Sequence, residues 1–196
     1  MGLVTSPGQK VNHASVERVG RSWCSLPPYF LIPLGLLLLL GVECGQHHSN
    51  SIEAFVVRVT DGDTMVVKIG EKEERVRLIG VDAPEKDQVP WGERAKEFVE
   101  SMTRGRTVRL EFDVEPRDRY GRLLAYVYVD STLLNLELLK EGLAMLYTVP
   151  PNVRHVEAFR RAQKEARENE RGIWDEEEGL EESPSAHRKR KRTAHN

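Results

Sequence analysis

Five short β-type runs follow one another at residues 55–60 (FVVRVT), 64–69 (TMVVKI), 75–81 (RVRLIGV), 107–112 (TVRLEF) and 123–129 (LLAYVYV). They are rich in β-branched and aromatic residues. The last alternates Leu124, Tyr126 and Tyr128 with Leu123, Ala125 and Val127, the period of a strand. Asp61-Gly62 is a strong turn signal between the first two, and Gly70-Glu71-Lys72 joins the second to the third. Residues 91–103 switch to a helical period, with Ala95, Phe98, Val99 and Met102 on one face. After the fifth run, Asp130 or Ser131 can cap a helix reaching Glu141, with Gly142 where a C′ glycine belongs. Asn152 can cap a last helix whose stripe is Val156, Phe159, Ala162 and Ala166. The expected fold class is α+β, a five-stranded OB-fold β-barrel with three helices, because closing the sheet on itself leaves no strand edge bare.

The chain has 196 residues, 39% hydrophobic and 31% charged, enough for one domain with tails. A formal net charge of -2 argues against a protein that binds nucleic acid by bulk charge alone. Cys24 and Cys44 both precede the folded stretch, which excludes a disulfide scaffold and a Cys-rich zinc domain. Residues 29–42 (YFLIPLGLLLLLGV) carry no charge and follow Arg18 and Arg21. As a helix this run would rise about 21 Å, short of a bilayer core of about 30 Å. Residues 1–44 therefore read as a signal peptide or, alternatively, a membrane anchor; a plain buried helix is the blander reading. The first two place the protein outside the cytoplasm, secreted or held at a membrane through residues 29–42. The expected division is a linker at 45–51, the folded domain at 52–176 and a disordered charged tail at 177–196. The basic run 187–192 has the composition of a localisation signal. After a leader it reads better as a solvated tail or an accessory contact to phosphate backbone or anionic lipid.

Charge collects where barrel strands end. Asp61-Gly62-Asp63-Thr64 sits at a hairpin; alone it is a turn. In 77–85 (RLIGVDAPE), Arg77 interrupts an apolar strand, and Asp82 and Glu85 flank Pro84; alone these are a paired arginine and turn acids. Residues 118–122 (DRYGR) alone are a solvated loop. Together they offer more. Carboxylates at strand ends can hold one hard divalent cation through oxygen. Two arginines can clamp a phosphate bidentately, and a spare carboxylate can orient or deprotonate a water. These are the parts that phosphodiester hydrolysis requires.

The order DGDT, RLIGVDAPE, RDRYGRLLAYVYVD, GLA and a final helix ending in IW resembles the staphylococcal nuclease (thermonuclease) family across roughly residues 52–175. The resemblance implies a five-stranded OB barrel with three helices and a calcium-dependent endonuclease, expected to be a monomer, acting on DNA and RNA with little sequence preference. It implies that Asp63 and Asp82 are metal ligands, joined by the backbone carbonyl of Ala83 where the family usually has threonine. It implies Asp61 behind the metal, Glu85 positioning or activating the attacking water, and Arg77 and Arg122 on the phosphate. Arg119, Tyr120 and Tyr147 match substrate contacts. Calcium is the implied ion, with magnesium or manganese as alternatives. Two departures stand out: residues 86–92 are shorter and more mixed in charge than the family's lysine-rich loop. The stretch 146–150 is about one residue short, which sets Tyr147 about one position from the base-stacking site. A non-catalytic OB module binding nucleic acid or protein at the cell envelope is the alternative. Its mark would be loss of the carboxylates or arginines, and all are present.

Overall fold

A computed structural model describes residues 50–194. The leader reading, with both cysteines and the apolar run 29–42, lies outside the described residues, as does the very end of the tail. No helix among the described residues is long and apolar enough to cross a membrane.

The strands β1 (Ser51–Asp61), β2 (Thr64–Ile69), β3 (Lys72–Leu78), β5 (Thr107–Glu111) and β6 (Leu123–Val129) form the expected closed barrel. β1 serves two neighbours. Its first half pairs with β5 from Ser51↔Glu111 to Phe55↔Thr107, and its second half pairs with β2 from Phe55↔Lys68 to Asp61↔Thr64. Register shifts at Val56/Arg58 and Val59/Asp61 mark bulges, which bend a strand and let it turn between partners. Closure comes from β3, antiparallel to β2 on one side and parallel to β6 on the other. Met65, Val67, Val76, Leu78, Leu110, Ala125 and Val127 are buried in the interior.

The expected third strand, 75–81, divides at Ile79. Gly80 takes φ +80°, and a Cβ there would stand 2.5 Å from the Phe159 ring, so only glycine fits this bend. Beyond it, β4 (Gly80–Asp82) leaves the barrel and pairs with β8 (Met145–Tyr147), Asp82 opposite Met145. α1 (Trp91–Thr103) follows the sequence reading. The next helix starts later than expected. Asp130, with φ 55°, turns the chain back so that β7 (Thr132–Leu133) pairs with β6, and α2 (Leu134–Lys140) begins after it. Asn135 of α2 is fully buried: its Oδ1 accepts from the Val127 amide at 2.9 Å, and its Nδ2 donates to the Ile79 carbonyl at 2.8 Å. One side chain thus ties α2 to the barrel and to the bend that releases β4.

Asn152 does not cap the last core helix, which is α3 (Val156–Glu168). Its amide instead pairs in both directions with the Glu115 backbone at 2.8 Å. Phe159, Ala162 and Ala166 are buried, as the stripe predicts. The expected disordered tail is corrected: α4 (Pro184–Ala194) makes a fourth α-helix among the described residues. Proline suits the first helical position, and Ser183 Oγ accepts from the Ala186 amide at 3.2 Å as a cap does. The chain leading into α4 is gripped by Trp91, whose Nε1 donates to the Glu178 carbonyl at 2.8 Å, and by Gln88, whose Nε2 donates to the Glu182 carbonyl at 2.9 Å.

Replacing Asn135 with leucine strands the Val127 amide and Ile79 carbonyl without partners. The cost expected is about 3 kcal/mol, seen as a lower urea midpoint with an unchanged slope.

Candidate active site

A cleft of about 940 Å³ opens where the β1–β2 turn, the end of β3, β4 and the 115–122 loop meet. Asp61, Asp63, Arg77, Ala83, Glu85, Arg119, Tyr120, Arg122 and Tyr147 all line it. Asp82, buried beneath, joins through its contacts. The motif residues far apart in sequence therefore converge.

At the centre lies Arg77, its side chain only 13% exposed. Its Nη1 donates to the carbonyls of Leu78 at 2.9 Å and Val81 at 2.8 Å. Its Nη2 meets Asp63 Oδ2 at 3.0 Å and Asp82 Oδ1 at 3.2 Å. A charge this deep is tolerated only where acceptors compensate for its lost hydration. Register places it there: Arg77 stands opposite Thr64 of β2 and Leu124 of β6, at the closure of the barrel.

Asp63 is fixed from several sides. Thr64 Oγ1 donates to its Oδ1 at 3.0 Å, and the Ala83 amide donates to its Oδ2 at 2.9 Å. The Asp63 amide in turn donates to Asp61 Oδ1 at 3.2 Å. Burial, reinforced by the Asp63 charge, pushes the Asp61 carboxyl up to about 6. Burial likewise pushes the Asp82 carboxyl above its ordinary value, against the pull of its arginine partners. Gly62 makes the assembly possible. A Cβ on it would lie 2.7 Å from the Cβ atoms of Ala83 and Ala95, so the turn can seat against β4 and α1 only with glycine between its two aspartates.

Glu85 stands beyond Pro84, partly exposed, its amide donating to Gln88 Oε1 at 3.0 Å. Across the cleft, Asp118 organises the second arginine. Its Oδ1 accepts from the Tyr120 and Arg122 amides at 2.9 and 3.0 Å, and its Oδ2 accepts from Arg122 Nε at 2.7 Å. Tyr120 is 65% exposed, with the guanidinium of Arg119 over its ring at 4.8 Å. Tyr147 is 47% exposed on β8.

No group of three or more His, Cys, Asp or Glu side chains stands in metal-binding geometry among the described residues. The donor chemistry nevertheless fits a hard cation. Two carboxylates converge on the same guanidinium nitrogen, a third lies next to them, and hard divalent ions complete such partial oxygen sets with water.

The sequence reading missed Arg188 of α4. Its Nη1 donates to Glu85 Oε1 at 2.7 Å, and its Nη2 donates to Asp82 Oδ1 and Oδ2 at 3.0 and 2.9 Å. Arg188 and Arg192 also line the cleft. The signal available was their spacing of four within the basic run, one helical face.

Known proteins resemble this chain in sequence. The family described as staphylococcal nuclease homologue matches residues 75–176. The chain is 43% identical to a thermonuclease of Staphylococcus intermedius over 129 residues, 63% of this chain and 77% of that one. It is 38% identical to a thermonuclease of Staphylococcus hyicus over 137 residues, 67% and 81% of the two chains. It is 37% identical to endonuclease YncB of Bacillus subtilis over 143 residues, 67% and 68%.

Gly62→Ala is expected to cost about 1–3 kcal/mol through overpacking. It should also shift the amide resonance of Ala83, which reports the Asp63 hydrogen bond, in a two-dimensional nitrogen–proton spectrum.

Proposed function

This chain belongs to the staphylococcal nuclease family, and on that premise we propose that it is a calcium-dependent endonuclease cleaving DNA and RNA with little sequence preference. The observation that carries the reading is Arg77 Nη2 within 3.2 Å of both Asp63 and Asp82, which brings phosphate-type and metal-type side chains to one point. Asp63 and Asp82, with the backbone of Ala83, would hold the ion, and Asp61 would support the turn that presents Asp63. When bound, a divalent cation neutralises charge on the phosphate and on the oxygens entering and leaving it. Oxygen-only donors favour calcium, and magnesium or manganese suit the same atoms.

The chain's own groups supply the remainder. Glu85, at the cleft and not among the Asp63–Asp82–Arg77 contacts, accepts a proton from the attacking water. The water oxygen bonds to phosphorus, the phosphorus–oxygen ester bond breaks, and the departing oxygen is reprotonated from solvent. Arg77 and Arg122 donate hydrogen bonds to the phosphoryl oxygens as negative charge builds on them. Asp118 holds Arg122 in place for this. The rings of Tyr120 and Tyr147 offer stacking surfaces, which accept any base and so favour broad substrate choice. The near-neutral chain adds little long-range attraction, so the affinity should have a shallow salt dependence. The apolar run 29–42 supports action outside the cytoplasm, secreted or at a membrane surface.

The test is digestion of single-stranded DNA by the purified chain. Cleavage should require calcium and stop with EDTA; cleavage that persists in EDTA would overturn the metal mechanism. Arg77→Lys, which keeps a cation beside Asp63 and Asp82 but loses the guanidinium fork, and Glu85→Gln should each lower kcat by about 10²–10³ or more, with folding intact by circular dichroism. A near wild-type kcat in either variant removes that residue from its role.

A further inference from the structure

The geometry points to α4 as an internal competitor for the cation site: Arg188 occupies the carboxylates of Asp82 and Glu85, and metal binding must displace it. The inference rests on the reading of Asp82 as a metal ligand and Glu85 as the base. Arg188 makes three charge-assisted hydrogen bonds, two to Asp82 and one to Glu85, all between 2.7 and 3.0 Å. Asp82 is 4% exposed in its side chain, so its oxygens have little room for two cations. With Arg188 in place, Oε1 of the proposed base is also engaged by a guanidinium and is not free to meet a water.

The helix is built to come off. Of its residues only Pro184 and His187 are buried, so no apolar face holds it down. Apart from Arg188 and the buried His187, the contacts of α4 with neighbouring chain are polar and exposed. Lys191 Nζ meets Asp87 Oδ2 at 2.7 Å, and His187 lies 3.1 Å from that oxygen and 2.8 Å from Glu182 Oε1. Exposed ion pairs are individually weak and screened by salt. The approach to the helix is firmer, because Trp91 and Gln88 hold backbone carbonyls at Glu178 and Glu182. The released helix therefore stays tethered beside the cleft, where Arg188 and Arg192 are at hand for phosphate.

A site free only part of the time binds its ligand more weakly by that fraction. If α4 is docked about nine-tenths of the time, the apparent Kd for the ion rises about tenfold. Calorimetric titration of the full chain with calcium, without substrate, tests this. Arg188→Ala should bind calcium about tenfold more tightly than wild type, whereas Lys189→Ala, which removes the same charge from the same helix, should not. Saturating calcium should also speed amide hydrogen exchange across residues 184–194. If Asp82→Asn abolishes binding while Arg188→Ala matches wild type, or if exchange in 184–194 is unchanged by calcium, the competitor role is wrong and the metal site stands. If Asp82→Asn leaves calcium affinity unchanged, the metal-site reading itself fails and the inference with it.

Discussion

The Arg77 guanidinium, with its contacts to Asp63, Asp82 and the carbonyls of Leu78 and Val81, is the interaction on which this structure turns. It sits on the strand that closes the barrel, and its partners come from the end of that strand, the β1–β2 turn and β4. A buried guanidinium without acceptors is among the most costly defects a core can carry. Barrel closure and the site therefore share the same strand and the same arginine. The bend at Gly80 belongs to this logic: it carries β4 away from the barrel so that Val81 and Asp82 return to face Arg77.

The surroundings of Arg77 hold more acid than one arginine can neutralise. Asp61, Asp63 and Asp82 share the neighbourhood, and burial raises the carboxyls of Asp61 and Asp82. Such a cluster attracts a further positive charge. In this structure Arg188 provides it from the far end of the chain; in the proposed reaction a divalent ion does. The overall charge of -2 averages this cluster against the basic loop and helix around it. It describes weak steering of a polyanion rather than the chemistry at the cleft.

Much of this was legible in the sequence because its signals are local. Strand alternation marks the barrel, and charges inside DGDT and RLIGVDAPE are conspicuous where a core strand should be apolar. The convergence of Asp63, Arg77 and Asp82 follows from those signals plus barrel closure. What was illegible depends on distant partners. Gly80 reads as an ordinary strand glycine until Phe159 is found filling the place of its side chain. Asn152 reads as a helix cap until Glu115 claims its amide. Residues 184–194 lack an apolar stripe, so nothing in their own pattern marks a docked helix. Its anchors, Gln88, Trp91, Asp82 and Glu85, lie roughly a hundred residues upstream.

The central claim, that Asp63 and Asp82 hold a cation beside Arg77, is tested most directly by anomalous diffraction from crystals of the protein soaked in manganese. The account predicts one strong peak within coordination distance of both carboxylates, with Arg188 withdrawn from Asp82. Crystals saturated with the ion that show no peak there, with Arg188 still bound to Asp82 and Glu85, would contradict it.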